Sequence, residues 1–223
     1  MSTGVTFYFM RHGETMLNRL ERIQGWANAP LTEKGIQDTH RSGKGLAKVK
    51  FDAVYTSDLM RTIETAHIIL EENHYAQELT IHPMVEFREI HFGYYEGLDA
   101  NQLWRDVREH IANVSDVTDR SQLTADVFLN TVHELDPYKY AENYRQFWTR
   151  VESGLLELLN RHAGTEQNVL IVSHGLTIQN LLHGLVADFN EQERLNNASV
   201  SVVQYIDGQF RLLKYNDTSH FTD

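Results

Sequence analysis

Short apolar runs at 5–10, 52–56, 80–83 and 168–173 alternate with longer stretches whose apolar residues recur every three or four positions. Runs of that length bounded by turn residues read as buried strands, and the longer period reads as amphipathic helix. Their alternation predicts an α/β fold, a three-layer α/β/α arrangement with helices on both faces of a mostly parallel sheet. A first covering helix is expected over 32–48. A second follows Ser57, where Leu59, Ile63, Ala66 and Leu70 form a stripe that Ile69 widens. A third carries Phe147, Val151, Leu155, Leu158 and Leu159, with Arg161 and His162 suited to the negative helix end and Gly164 to stopping it. Near the C-terminus two apolar runs, 199–205 and 210–215, flank Asp207-Gly208, a hairpin signal that adds an antiparallel strand. The free edge of that hairpin could pair with a second copy as a homodimer. Residues 97–146 depart from this rhythm. Leu103, Trp104, Val107 and Ile111, then Leu123, Val127, Phe128 and Val132, predict a helical excursion that caps one edge of the sheet.

Length and charge narrow the class. A chain of 223 residues suits a single domain over 1–223 with a substantial core. Twenty basic against 31 acidic side chains, a formal charge of -11, argue against nucleic acid or an anionic membrane as partner. The absence of cysteine removes disulfides, thiolate metal sites and a cysteine nucleophile. No run approaches the ~18 apolar residues of a membrane helix, and no signal-like segment opens the chain, so a cytoplasmic protein is expected.

The candidate chemistry sits where strands end. The first apolar run leads into Arg11-His12-Gly13-Glu14-Thr15, and the fourth ends in Ser173-His174-Gly175. In open α/β sheets, ligands gather at the carboxyl ends of strands, and a glycine after each histidine lets backbone approach a ligand closely. Arg11 supplies a planar fork suited to phosphate or carboxylate. Arg61 falls in the first helical turn after another strand, where it is either a second anion clamp or a solvated surface group. A carboxyl wedged among Phe, Ile and Tyr in 87–97 would have its neutral form favoured by desolvation, as a general acid needs. Glu89 is the candidate, and Glu86 its rival. Glu14 is expected to orient Arg11, and Thr15 to bond locally at a turn. No metal-ligand signature is present, and twelve scattered histidines read as surface groups rather than a metal cluster.

Arg11-His12-Gly13-Glu14-Thr15 with Asn18, Ser57-Asp58-Leu59-x-Arg61-Thr62, Arg88-Glu89-x-x-x-Gly93-x-x-Glu96-Gly97 and Ser173-His174-Gly175 together resemble the histidine phosphatase superfamily, the phosphoglycerate mutase-like group. The resemblance implies that His12 takes the phosphoryl group and Glu89 protonates the leaving oxygen. It implies that Arg11, Arg61 and His174 hold the phosphoryl oxygens, with Asn18, the backbone around Gly13, and Gly175 helping. Gln24-Gly25 would either line the pocket or make a loop turn. The substrate would be a small-molecule phosphate ester and no cofactor is implied. Such chemistry is mostly positioning and electrostatic stabilisation, which two arginines and a histidine supply without a metal. His91, Tyr94 and Tyr95 would pack at the cap boundary, Trp104, Tyr144 and Trp148 in core or cap, and Glu96-Gly97 would close a turn that positions Glu89.

Mutases have to hold a phosphorylated acid in two orientations and keep water out, which asks for basic groups over the pocket. Between Gly97 and Tyr138 stand eight acidic residues (Asp99, Asp106, Glu109, Asp116, Asp119, Asp126, Glu134, Asp136) and three arginines (Arg105, Arg108, Arg120). The paired arginines and proline-rich stretch of the resembling mutases are missing, which favours a phosphatase. The alternatives are a mutase and a non-catalytic phosphate-binding module on the same fold.

Overall fold

The computed structural model describes residues 3–114, 123–191 and 193–223. Its centre is a six-stranded sheet in the order β3-β2-β4-β1-β5-β6, built from β1 (Val5–Arg11), β2 (Ala53–Thr56), β3 (Ile81–Pro83), β4 (Asn168–Ser173), β5 (Val200–Ile206) and β6 (Gln209–Asp217). The first four run parallel to one another, and β5 pairs antiparallel with β1 and with β6. The turn between β5 and β6 places both Asp207 and Gly208 at positive φ, as a two-residue hairpin requires.

Alternate residues of the central strands point to opposite faces, and each face has its own core. Phe7, Phe9, Val169 and Ile171 face one way, packing with Phe87, Ile90, Phe147, Val151 and Leu158. Met10, Leu170 and Val172 face the other, packing with Leu46, Phe51, Ala66 and Ile69. Buried on both sides, β1 and β4 carry continuous apolar runs. Each of these buried side chains contributes about 1.5–3 kcal/mol relative to exposure.

Helices α1 (Met16–Arg19), α2 (Glu33–Gly45) and α3 (Met60–Glu72) precede the excursion, and α6 (Tyr144–His162) and α7 (Gly175–Leu185) follow it. Thr32 caps α2, accepting from the Gly35 N–H at 2.9 Å. Two helix faces differ from expectation. The buried residues of α3 are Arg61, Thr62, Thr65, Ala66, Ile68 and Ile69, whereas Ile63 and Leu70 are only half-buried. Its first turns face polar groups at the strand ends, and Thr62 and Thr65 satisfy their hydroxyls on backbone carbonyls of their own helix and its cap. His162, in the last turn of α6, is turned inward: it is buried, bonded to the Tyr55 hydroxyl at 2.9 Å and to Gln167 at 2.7 Å.

The excursion holds α4 (Ala100–Val114) and α5 (Ala125–Leu135). Leu103, Val107 and Ile111 from the one, and Phe128, Leu129 and Val132 from the other, join the larger core, and Trp104 stacks on Phe128 at 4.8 Å. Its start is tied to the stretch after α1, the Ile23 N–H donating to Leu98 O and the Ala100 N–H to Glu21 O. Asp116, Asp119 and Arg120 lie outside the described residues. Among the described residues no helix is long and apolar enough to cross a membrane.

Candidate active site

β2, β4 and β1 are neighbours, so the residues that follow them emerge side by side. The Ser57 N–H donates to Val172 O and the His12 N–H to Ser173 O, which extends the ladder just past the strand ends. His12 and His174 are thereby brought edge to face, ring centroids 5.2 Å apart at 61°. Both rings are buried.

The tautomers follow from the partners. His12 Nδ1–H donates to Gly13 O at 2.7 Å, leaving Nε2 as the lone-pair nitrogen. For His174, Nδ1 accepts from Arg61 at 3.0 Å, so Nε2–H donates to the Ser57 hydroxyl at 2.8 Å. Burial first, then the nearby guanidinium charges, holds both imidazoles well below their ordinary pKa. Both are neutral at physiological pH.

Arg61, fully buried, donates to Ala27 O at 3.0 Å and Gly25 O at 2.6 Å. Arg11 donates to Leu195 O. Burial lowers Arg11 to about 9 and Arg61 to about 10, which still leaves each charged at neutral pH. In both, Nε–H is buried and finds no acceptor among the described residues. An unpaired buried donor costs about 1–3 kcal/mol, more when charged, which makes these two beside a neutral imidazole candidate donors to an anion.

Glu89 lies at the start of α7. One carboxylate oxygen accepts from the N–H groups of Ile90 and Thr177 and the Thr177 hydroxyl, and the other from the Leu176 N–H, at 2.9–3.1 Å. The expected apolar wedge is thus a donor-rich seat at a positive helix end. Its backbone is held too: Glu89 O accepts from Trp26 Nε1 at 2.8 Å and Arg150 at 3.3 Å. Glu86, the rival, has its Cβ and Cγ against Gly154 of α6.

Several expected roles fall differently. The Gly13 N–H is spent on the Thr65 hydroxyl at 3.0 Å, so it is not offered to a ligand. Glu14 accepts from the Thr32 hydroxyl at 2.7 Å instead of orienting Arg11. Both ring nitrogens of His174 are engaged within the protein, by Ser57 and by Arg61. Gln24 belongs to a loop turn: its oxygen accepts from Thr15 Oγ1 and its amide donates to Ala27 O. Gly25 lies where an added Cβ would come within 2.1 Å of Ile90 O, so glycine is required for close approach. Asn18 lines a cavity beside Arg11 and accepts from Asn197 at 3.3 Å. Gly175 opens α7 against the Arg11 side chain.

Glu96 is central to this arrangement. Its carboxylate accepts from four backbone N–H groups, those of Gly25, Trp26, Ala27 and Phe92, so it shapes the loop whose carbonyls hold Arg61. Arg150 pairs bidentately with Glu142 and donates to the carbonyls of Glu86 and Arg88, pinning the segment before Glu89. Arg88 pairs bidentately with Asp58 and lies over the Trp26 ring at 4.4 Å. Sequence reasoning missed the supporting roles of Ser57, although it opens the second motif, and of Thr177, two residues beyond the last one. It missed Arg150 because nothing local sets an arginine on α6 apart from surface charge. Among the described residues no three His, Asp or Glu side chains are grouped to hold a metal.

Known proteins share the fold and much of the sequence. The histidine phosphatase superfamily (branch 1) profile matches residues 7–218. A probable phosphoglycerate mutase GpmB of Yersinia pestis (strain Pestoides F) is 29% identical over 201 residues, 89% of this chain and 84% of that protein. The crystal structure of a phosphoglycerate mutase from Bacillus anthracis str. Sterne superposes with a TM-score of 0.89 at 32% identity, covering 98% of this chain and 96% of that one. The alpha-ribazole phosphatase from Shigella flexneri shares the fold, with a TM-score of 0.73 at 24% identity over 96% of each chain. With its motifs converging at the ends of β1, β2 and β4 and the profile spanning most of its length, the chain belongs to the histidine phosphatase superfamily.

Proposed function

We propose that the protein is a metal-independent phosphomonoester hydrolase that acts on small-molecule phosphate esters through a phosphohistidine intermediate. The observation that carries the reading is the pair of unpaired guanidinium Nε–H groups around an imidazole whose Nε2 is unprotonated. His12 Nε2 attacks phosphorus while the bond to the leaving oxygen breaks, and Glu89 gives that oxygen its proton. Arg11 and Arg61 take the charge that spreads over the phosphoryl oxygens in the loose transition state. Water then attacks the phosphohistidine, its proton returns to Glu89, and the phosphorus–nitrogen bond breaks.

The acidic balance of the excursion supports hydrolysis over mutase chemistry. Likeness to proteins named phosphoglycerate mutases supports the second reading, a mutase at the same site. The test is turnover of p-nitrophenyl phosphate and a panel of phosphate esters with EDTA present. Release of inorganic phosphate is expected. Interconversion of 2- and 3-phosphoglycerate without release would establish the mutase, no turnover of any ester would establish a binding module, and loss of activity to EDTA would rule out the metal-free mechanism.

A further inference from the structure

The main chain of Arg11 and His12 is held from behind by a turn that takes no part in the phosphohistidine chemistry. This turn lies between α7 and β5. The Ala198 N–H donates to Arg11 O at 3.0 Å and to His12 O at 3.3 Å, and Asn197 Nδ2 donates to His12 O at 3.0 Å. Leu195 O accepts from the Arg11 guanidinium. Ala198 makes its contacts from the left-handed region, at φ 57°, where a residue with a Cβ stays only if its surroundings hold it there. It is wholly buried.

What holds it comes from α2 and from the residues that follow β6. The Ser42 hydroxyl donates to Ala198 O at 3.0 Å, and the same oxygen lies 2.8 Å from His220 Nε2. A serine hydroxyl has one hydrogen. With that hydrogen given to Ala198 O, Ser42 accepts and His220 Nε2–H donates. Burial depresses the His220 pKa against the pull of Asp217, so the ring is neutral and Nδ1 keeps its lone pair. That nitrogen is buried and makes no hydrogen bond among the described residues, Asp217 Oδ2 standing 3.9 Å away. The one hydrogen bond of the ring therefore runs through Ser42 to Ala198. His220 is itself fixed on α2. A Cβ added at Gly45 would collide with His220 O, the Thr222 N–H donates to Arg41 O at 3.1 Å, and Arg41 lies over the Phe221 ring and pairs with Asp223. Asn216 adds a second tie to the same turn, its Oδ1 accepting from the Asn196 N–H at 2.7 Å.

We infer that His220 is a positioning residue for His12: through Ser42 and Ala198 O it fixes the left-handed turn that holds the carbonyls of Arg11 and His12, and with them the direction in which His12 Nε2 points. The effect on rate rests on the phosphomonoesterase reading, whereas the effect on the ring does not. The test compares H220Q, whose amide reaches Ser42 as Nε2 does, with H220N, whose amide stops at the position of Nδ1. With assays run well below every thermal midpoint, H220N is expected to lower kcat for p-nitrophenyl phosphate about tenfold and to leave KM within about twofold, because a misplaced attacking atom costs rate more than binding. H220Q is expected to recover most of that loss. S42A, which removes one hydroxyl and reads the relay even where H220N fails to fold, is expected to match H220N, and the double variant S42A/H220N to lose no more than either alone. An unchanged kcat in S42A, equal losses in H220Q and H220N, or additive losses in the double variant would overturn the relay. Nitrogen-15 signals of the His12 ring, whose Nδ1 is protonated in the native site, read its position without turnover. They are expected to shift in S42A and H220N and to return in H220Q. That pattern supports the positioning role even where no ester is hydrolysed and the phosphatase reading falls, and ring signals that are the same in wild type and all three single variants overturn it.

Discussion

Single side chains carry separable parts of the chemistry. On the proposed mechanism H12A removes the attacking nitrogen, so turnover and any acid-labile phosphoenzyme should vanish together; survival of either would move the nucleophile elsewhere. For the acid, E89Q should slow phosphoenzyme formation by about 10²–10⁴, most for esters with poor leaving groups, because a missing proton matters most where the departing oxygen is most basic. E86Q should change that step little, since its side chain packs on α6. A rate for E89Q that does not depend on the leaving group, beside a slow E86Q, would exchange the two assignments. The E89Q variant also loses the carboxylate charge at the start of α7, so its thermal midpoint has to be measured alongside its rate.

Loops and helix ends position these groups through backbone atoms. The Glu96 carboxylate gathers four N–H groups, and the loop it shapes presents two carbonyls to Arg61, which in turn meets His174. E96Q removes the charge and one acceptor oxygen from a set of bonds each worth about 1.5–3 kcal/mol, and the loop can no longer hold the guanidinium in register. Inhibition by inorganic phosphate is expected to weaken about tenfold in protein that is still folded, while the thermal midpoint falls by several degrees. A lower midpoint with an unchanged inhibition constant would confine Glu96 to stability. G25A tests the same loop by packing: the new Cβ meets Ile90 O, Glu96 and Phe92, so a larger loss of stability than E96Q gives is expected in a denaturant titration.

The whole molecule pays for its site with buried charge and with imidazoles kept neutral, and acid should expose that cost. His12 and His174 have folded pKa values well below the 6.5 of the exposed group, so between those limits the unfolded chain binds more protons than the folded one. Stability is therefore full above about pH 6.5 and declines as pH falls towards the lowered values. The urea midpoint is expected to drop between pH 7.5 and 5, less so with saturating phosphate, and a flat midpoint across that range would contradict neutral buried rings. At this scale the division between chain and fold is clear. Strand positions, the hairpin and the strand-end location of His12 and His174 were legible because a period of two or of three to four is a local property of consecutive residues. The shift of the buried face on α3 was not, since Arg61 and its threonines are buried by what they meet across the sheet edge. Which nitrogen of His12 is free, Glu89 over Glu86, Glu96 as anchor of the Arg61 loop and His220 behind the strand end that carries His12 all depend on partners far away in the chain. Composition and periodicity carry no record of such pairings, and only the packing of strand ends, α7 and the Glu96-bound loop around one point decides them.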